Sequence, residues 1–226
     1  RALRPGLRVS LPSLRIDSAA VQLAHFGAAQ RGSVTLAPEA ATQELRDRVN
    51  KGIDEAQVLE AVEAVFSGGF TGLKLYFMIG LPGEGDEDAV AIAHMASAVT
   101  EVAKRVGRGR VRLSLAVSSF VPKPHTPFEG DAFAGETVLR RRQRLIRDAL
   151  PRHVKASFHD VGASLVEATL ARAGRGSDGF VERAWHAGAR FDGWTEHFDL
   201  GLWRQAADAC GIVLGEPGTS DPAAAP

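Results

Sequence analysis

Cysteine is nearly absent: Cys210 is the single one among 226 residues. One thiol excludes an internal disulfide framework and leaves too few thiolates for an iron–sulfur cluster held within this sequence. No apolar run approaches the roughly 18 residues of a membrane span, and the first residues do not form a signal peptide. Acidic and basic residues balance at 27 each, so nothing global favours nucleic acid or an anionic membrane, although local basic patches remain compatible with that balance. The sequence has no zinc-type histidine spacing such as HExxH, no dinucleotide glycine fingerprint and no phosphate loop with its lysine and hydroxyl residue. No internal repeat is evident beyond a loose βα period. The expectation is a soluble cytoplasmic protein, long enough for one large α/β domain or two small ones. A start at Arg1 without methionine adds the expectation of a processed chain or a piece of a longer one.

What is present is an α/β pattern. The stretch Lys74-Leu75-Tyr76-Phe77-Met78-Ile79-Gly80-Leu81-Pro82-Gly83-Glu84 reads as a buried strand stopped by a glycine- and proline-shaped turn, with an acidic helix start, Glu84 to Asp88, directly after it. Strand ends of this kind in α/β proteins are where small molecules bind. Periodicity predicts further strands over Ser33–Ala37, Val111–Ser118 and Lys155–His159, and an earlier one from Arg8 that passes Pro12 into Leu14–Asp17. Helices are predicted from Ser18 to Phe26, Thr42 to Val49, the Asp54 cap to Ser67, Asp86 to Val106, Glu136 to Leu150 and Ser164 to Ala173, with Thr42 also a candidate cap. Few polar residues interrupt Leu73–Ile79, which predicts helices on both faces of a parallel sheet. The successive βα units predict an α/β domain over residues 1–173, then an aromatic-rich part over 174–215 and a disordered tail over 216–226.

Several residues carry chemistry in more than one reading. Glu39 ends a strand, where its carboxylate can accept hydrogen bonds from an amine, a ribose or a catalytic donor, or can cap the following helix. Lys51, beside Gly52 in a bend between helices, can approach a carboxylate or phosphate, or can face solvent. Gly80-Leu81-Pro82-Gly83 turns the backbone closely at a strand end, which suits the flat face of an adenine or a tight packing corner. Ser118-Ser119-Phe120-Val121-Pro122-Lys123-Pro124-His125-Thr126-Pro127-Phe128 follows a strand at once. Its prolines give the rigidity of a substrate-facing loop bearing Lys123 and His125, and also suit a cover packed through Phe120 and Phe128. Arg140, Arg141, Arg142, Arg144 and Arg147 form a basic helix face, either solvated or able to meet nucleic acid. His153, His159, His186 and His197 are scattered, while Trp185, Trp194 and Trp203, with Phe180, Phe191 and Phe198, are assigned to structural packing.

In order along the chain, SVTLAPEA from Ser33, RDRVNKG from Arg46 and the Lys74–Glu84 stretch resemble the later core of radical S-adenosylmethionine enzymes. SSFVPKPHTPF from Ser118 and ARFDGWTE from Ala189 resemble one subgroup in particular. Its longer members carry a cobalamin-binding-like N-terminal domain and a barrel like that of the tRNA methylthiotransferase and elongator acetyltransferase radical enzymes. The resemblance extends over roughly residues 5 to 212. It implies an α/β fold, an incomplete parallel (β/α) barrel of the radical SAM type with roughly strands three to six, plus a helical C-terminal part. The strand around Val9 to Ile16 resembles the third family strand.

The resemblance also implies cofactors and roles. S-adenosylmethionine and a [4Fe–4S] cluster serve the complete family form, so the descriptors iron–sulfur, 4Fe–4S and metal-binding come with it, and cobalamin is open to the longer parent. Glu39 would contact the methionyl or ribose part of S-adenosylmethionine, Lys51 its carboxylate, and Ile79 with Gly80 its adenine. Pro82 and Glu84 would shape and anchor the turn, while Ser118 and the loop of Lys123 and His125 would approach cofactor or substrate. The sequence departs from the family in lacking the CxxxCxxC loop and the glycine-rich loop that follows the second barrel strand. The implied function is a partial radical S-adenosylmethionine iron–sulfur protein. Its complete form reductively cleaves S-adenosylmethionine to a 5′-deoxyadenosyl radical, which abstracts hydrogen from an unidentified substrate; this chain alone is expected to hold no cluster and to be inactive. The implied partners are the missing N-terminal barrel portion, the substrate and an external electron donor, with no membrane. The alternatives are a noncatalytic binding protein derived from that fold and part of an RNA-modifying enzyme, the latter resting on the Arg140–Arg147 face.

Overall fold

The computed structural model describes residues 32–106, 111–174 and 177–216. The strand expected from Arg8, the helix expected from Ser18 and the tail from Pro217 lie outside those residues. The described residues form two compact units. One comprises 32–79, 83–106, 111–118 and 142–158, and the other 80–82, 119–141, 159–174 and 177–216.

The first unit is built on four parallel strands that neighbour one another in chain order: β1 (Ser33–Glu39), β2 (Gly72–Ile79), β3 (Arg112–Ser119) and β4 (Lys155–Phe158). Parallel neighbours need long crossovers. Helices α1 (Gln43–Arg48) and α2 (Glu55–Ser67) supply the first, and α3 (Asp86–Arg105) the second. With helices flanking a parallel sheet and a helical C-terminal region, this is the partial α/β barrel pattern the sequence implied. Leu73, Leu75, Phe77 and Ile79 of β2 are buried, as are Val34 and Leu36 of β1 and Leu115 and Val117 of β3. Val58, Val62, Val65 and Phe66 of α2 and Ile92, Ala96 and Val99 of α3 are buried too. Full burial of such a side chain contributes about 1.5–3 kcal/mol.

The alternate β2 residues Lys74, Tyr76 and Met78 are less covered, Tyr76 being 39% exposed. Within the helix-flanked sheet β2 alternates, as a strand does when one face is buried more completely. The run hid this because Tyr76 and Met78 are themselves largely apolar.

Caps fix the helix starts. Asp54 Oδ1 accepts the Gln57 N–H at 2.8 Å and Gln57 Oε1 accepts the Asp54 N–H at 2.9 Å, a reciprocal box that opens α2. Thr42 stands at the N-cap of α1 but makes no side-chain cap. Its hydroxyl donates to Asp88 Oδ1 at 2.7 Å instead. Asp88 Oδ2 accepts the Gly85 N–H at 2.8 Å, so one carboxylate ties the loop after β1 to the loop after β2.

Helix α4 (Gly135–Ala149) carries the chain from the second unit into the first. The second unit also contains α5 (Val161–Arg172), α6 (Asp178–Ala187) and α7 (Leu200–Cys210). Helix α5 begins ahead of the predicted Ser164 because Asp160 caps it, accepting the Ala163 N–H at 2.9 Å. Phe180, Ala184, Trp203, Ala206 and Val166 form this unit's core, with Phe180 edge-on to Trp203 at 5.2 Å between centroids. Packing thus accounts for Trp203 and Phe180, whereas Trp185, Trp194 and Phe191 are 52%, 57% and 67% exposed. Cys210, the last residue of α7, is partly buried against the same core. No helix among the described residues is long and apolar enough to cross a membrane.

Candidate functional site

The end of β1 departs from regular strand geometry. Pairing with β2 holds register from Ser33 opposite Gly72 to Leu36 opposite Leu75, then shifts so that Glu39 stands opposite Phe77. The extra residue is a bulge, a device that re-aims a side chain at a strand end. Glu39 takes a left-handed φ of 68°, which costs a non-glycine residue about 1–2 kcal/mol. Such strain persists where the surroundings over-determine it, and an observed outlier of this kind points towards a functional site.

Lys51 Nζ donates to Glu39 Oε1 at 3.0 Å, the two side chains being 21% and 29% exposed. Lys51 itself sits between two left-handed residues, Asn50 at φ 53° and Gly52 at φ 59°. The structure therefore joins two residues that the sequence presented separately. Glu39 is engaged by Lys51, and the N-cap position of α1 belongs to Thr42. A partly exposed ion pair of this kind contributes at most about 1 kcal/mol. Both charges can therefore be exchanged for those of a ligand at little loss.

Glu39 lies beside Phe77 on one side, and on the other the Ser118 hydroxyl donates to the Phe77 carbonyl across a long 3.4 Å. Ile79, fully buried, ends β2. Glu39, Ile79 and Ser118 thus share the C-terminal edge of parallel strands, the edge at which α/β proteins bind ligands. On the less covered side of β2, Lys74 Nζ stands 5.1 Å from the Tyr76 ring centroid.

Glu84 is held by a residue that the sequence assigned to a basic surface. Arg142 Nη1 donates to Glu84 Oε2 at 2.5 Å, and Nη2 donates to the Glu84 carbonyl; the side chains are only 7% and 1% exposed. Arg142 is therefore corrected from a face residue to a buried anchor of the turn that precedes α3. In the same unit, Arg147 lies 4.4 Å over the Phe158 ring. Gly83, at φ 77°, passes so close to Arg48 that a Cβ there would stand 2.5 Å from Nη1.

The remaining predicted site residues belong to the second unit. Gly80 has φ 87°, and a Cβ on it would lie 2.9 Å from Leu139 Cδ2. Pro82 is half-buried. Lys123 is paired with Glu167 at 2.5 Å, both exposed. His125 is left-handed at φ 59°, and its N–H donates to Glu129 Oε2 at 3.0 Å. Phe120 and Phe128 meet edge-on at 5.2 Å, so the proline-rich loop is braced at both its polar and its aromatic positions. Arg140 is paired with Glu136 at 2.8 Å.

Among the described residues no group of three or more His, Cys, Asp or Glu is placed to hold a metal ion. With one cysteine in the sequence, the chain's residues do not fit a [4Fe–4S] cluster. The iron–sulfur, 4Fe–4S and metal-binding descriptors that came with the resemblance are corrected accordingly.

Fold and strand edge together have the pattern of a partial α/β barrel, with Glu39, Ile79 and Ser118 at the C-terminal ends of its strands. The Radical SAM superfamily model matches residues 4–96, the segment that contains Glu39, Lys51, Ile79, Gly80, Pro82 and Glu84. Uncharacterized protein MJ0966 of Methanocaldococcus jannaschii is 28% identical over 168 residues, which cover 74% of this chain and 35% of that protein. The chain thus spans about a third of that relative's length. The family match thus lies within the first part of the chain, and the described residues add no group placed to hold a metal ion.

Proposed function

We propose that this chain is the later part of a radical S-adenosylmethionine catalytic barrel, of the subgroup with a cobalamin-binding-like N-terminal domain, and that it holds S-adenosylmethionine along the C-terminal edge of β1 and β2. The observation that carries this reading is the bulged, left-handed Glu39 paired with Lys51. The methionyl group of S-adenosylmethionine is a zwitterion, and a weak carboxylate–ammonium pair at a strand rim is its electrostatic complement. Glu39 would take the ammonium or a ribose hydroxyl and Lys51 the carboxylate, replacing the bond they make to each other. Ile79 and the Gly80 backbone would meet the adenine, while Glu84 and Pro82 keep the turn in place. Ser118 would face the bound molecule from β3. In the second unit, the braced loop of Lys123 and His125 is proposed to contact substrate.

Bound S-adenosylmethionine supplies a sulfonium that one-electron reduction cleaves, providing the carbon-centred radical for hydrogen abstraction. This chain's own residues bind and orient; none of them delivers an electron. Turnover therefore belongs to a longer or assembled form, and its substrate, with any cobalamin dependence, is a property of that form.

Equilibrium dialysis with labelled S-adenosylmethionine tests the reading. Saturable binding to the wild-type chain is expected, weakened about tenfold by Glu39→Gln and again by Lys51→Met, equivalent to about 1.4 kcal/mol each. Absence of saturable binding, or an affinity indifferent to both substitutions, would remove the proposal.

A further inference from the structure

We propose that Arg46 is the positioning residue of this strand edge, a buried guanidinium that sets Glu39 and Lys51 in register with each other. The geometric claim stands by itself; its consequence for S-adenosylmethionine rests on the function proposed above.

Arg46 lies on α1 and is 1% exposed. Its Nη1 donates to the carbonyls of Ala40 at 3.2 Å and Ala41 at 2.8 Å, the two residues directly after the strained Glu39. Its Nη2 donates to Gln43 Oε1 at 3.0 Å. Gln43 Nε2 in turn donates to the Ile53 carbonyl at 3.2 Å, just beyond Lys51 and Gly52. The Arg46 carbonyl accepts the Lys51 N–H at 2.9 Å. A single residue thus grips the chain behind Glu39 with its side chain and the chain at Lys51 with its backbone, while Gln43 extends the grip past the lysine.

The arginine is an expensive way to fill this space. No carboxylate lies within ion-pairing distance of it among the described residues, and its Nε has no hydrogen-bond partner. Burial lowers its pKa from the ordinary arginine value, a shift that the charges of Glu55, Asp47 and Asp54 only partly offset. A buried unpaired charge is costly, and an apolar side chain of similar volume commonly serves a core as well or better. What an apolar residue cannot do is hold two consecutive carbonyls beside a left-handed glutamate. A planar fork with several donors does this, and a lysine ammonium reproduces it poorly.

Two variants test the inference: Arg46→Met, which keeps volume, and Arg46→Lys, which keeps charge. Zero-length carbodiimide coupling joins Glu39 to Lys51 only while their carboxylate and amine touch, and the joined peptides are read by mass spectrometry. Val62→Ala serves as a control, because it leaves a cavity under α2 and lowers stability without removing any charge or hydrogen bond of the grip. The expected result is efficient coupling in wild type and Val62→Ala, and a several-fold loss in both Arg46 variants while circular dichroism shows them folded. S-adenosylmethionine affinity should fall about tenfold in step, as for Glu39→Gln. Wild-type coupling in a folded Arg46→Lys chain overturns the proposal. So does an equal loss in Val62→Ala, or unfolding of both Arg46 variants while Val62→Ala stays folded, since either would mark a structural role alone. If coupling falls as expected but the wild-type chain binds no S-adenosylmethionine, the positioning role stands and the binding function fails.

Discussion

Left-handed backbone outside glycine occurs among the described residues at Glu39, Asn50, His125 and Phe191. Glu39 and His125 are themselves candidate binding residues, and Asn50 precedes a third, Lys51. The strain at each is a local cost that neighbouring bonds must absorb. Glycine relieves the same cost, and two positions separate conformation from space. A Cβ on Gly52 would meet nothing within 4 Å, whereas one on Gly80 would press against Leu139 Cδ2 at 2.9 Å. Gly52→Ala should therefore lose only the conformational cost, about 1–2 kcal/mol, and Gly80→Ala should lose distinctly more. Urea denaturation of the two variants checks the ordering, and equal losses would contradict it. Candidate binding residues stand out in the sequence where they end a strand or flank a glycine, as Glu39 and Lys51 do. Their pairing was not, because it depends on a bulge that no local periodicity encodes. Arg46 and Arg142 were illegible for another reason: arginine reads as surface by default, and only burial reveals it as an internal donor.

At the level of elements, the loop between β2 and α3 is fixed from two directions. Asp88 binds it to the start of α1 through Thr42, and Arg142 on α4 clamps Glu84. Removing one member of so buried a pair leaves the other charge uncompensated, so Glu84→Gln or Arg142→Met should each destabilise by about 3–5 kcal/mol. Combining Glu84→Gln with Arg142→Met should recover much of that loss. Chemical denaturation of the cycle checks this, and strictly additive losses would show that the pair is not coupled. Strands and helices were largely visible in the sequence because β2 carries an apolar run and α2 an apolar stripe behind a strong cap. Two details escaped. The unequal covering of β2 was masked by the apolar character of Tyr76 and Met78. The diversion of the Thr42 hydroxyl to Asp88 is a contact across 46 residues that helix-start signals do not contain.

For the whole molecule, the superfamily match covers residues 4–96, and among the described residues no group is placed to hold a metal ion. Reconstitution of this chain with iron and sulfide should leave no iron–sulfur charge-transfer absorbance and no cleavage of S-adenosylmethionine. A stoichiometric cluster signal would refute that expectation. The chain spans about a third of its relative's length, and ligand binding is a property testable on the chain itself. Amide-resolved NMR during titration with S-adenosylmethionine tests the central claim most directly. Perturbations concentrated at Glu39, Lys51, Ile79 and Ser118 are predicted, and they should vanish in Glu39→Gln. Perturbations confined to other segments, or none at saturating ligand, would contradict the assignment of this edge to S-adenosylmethionine.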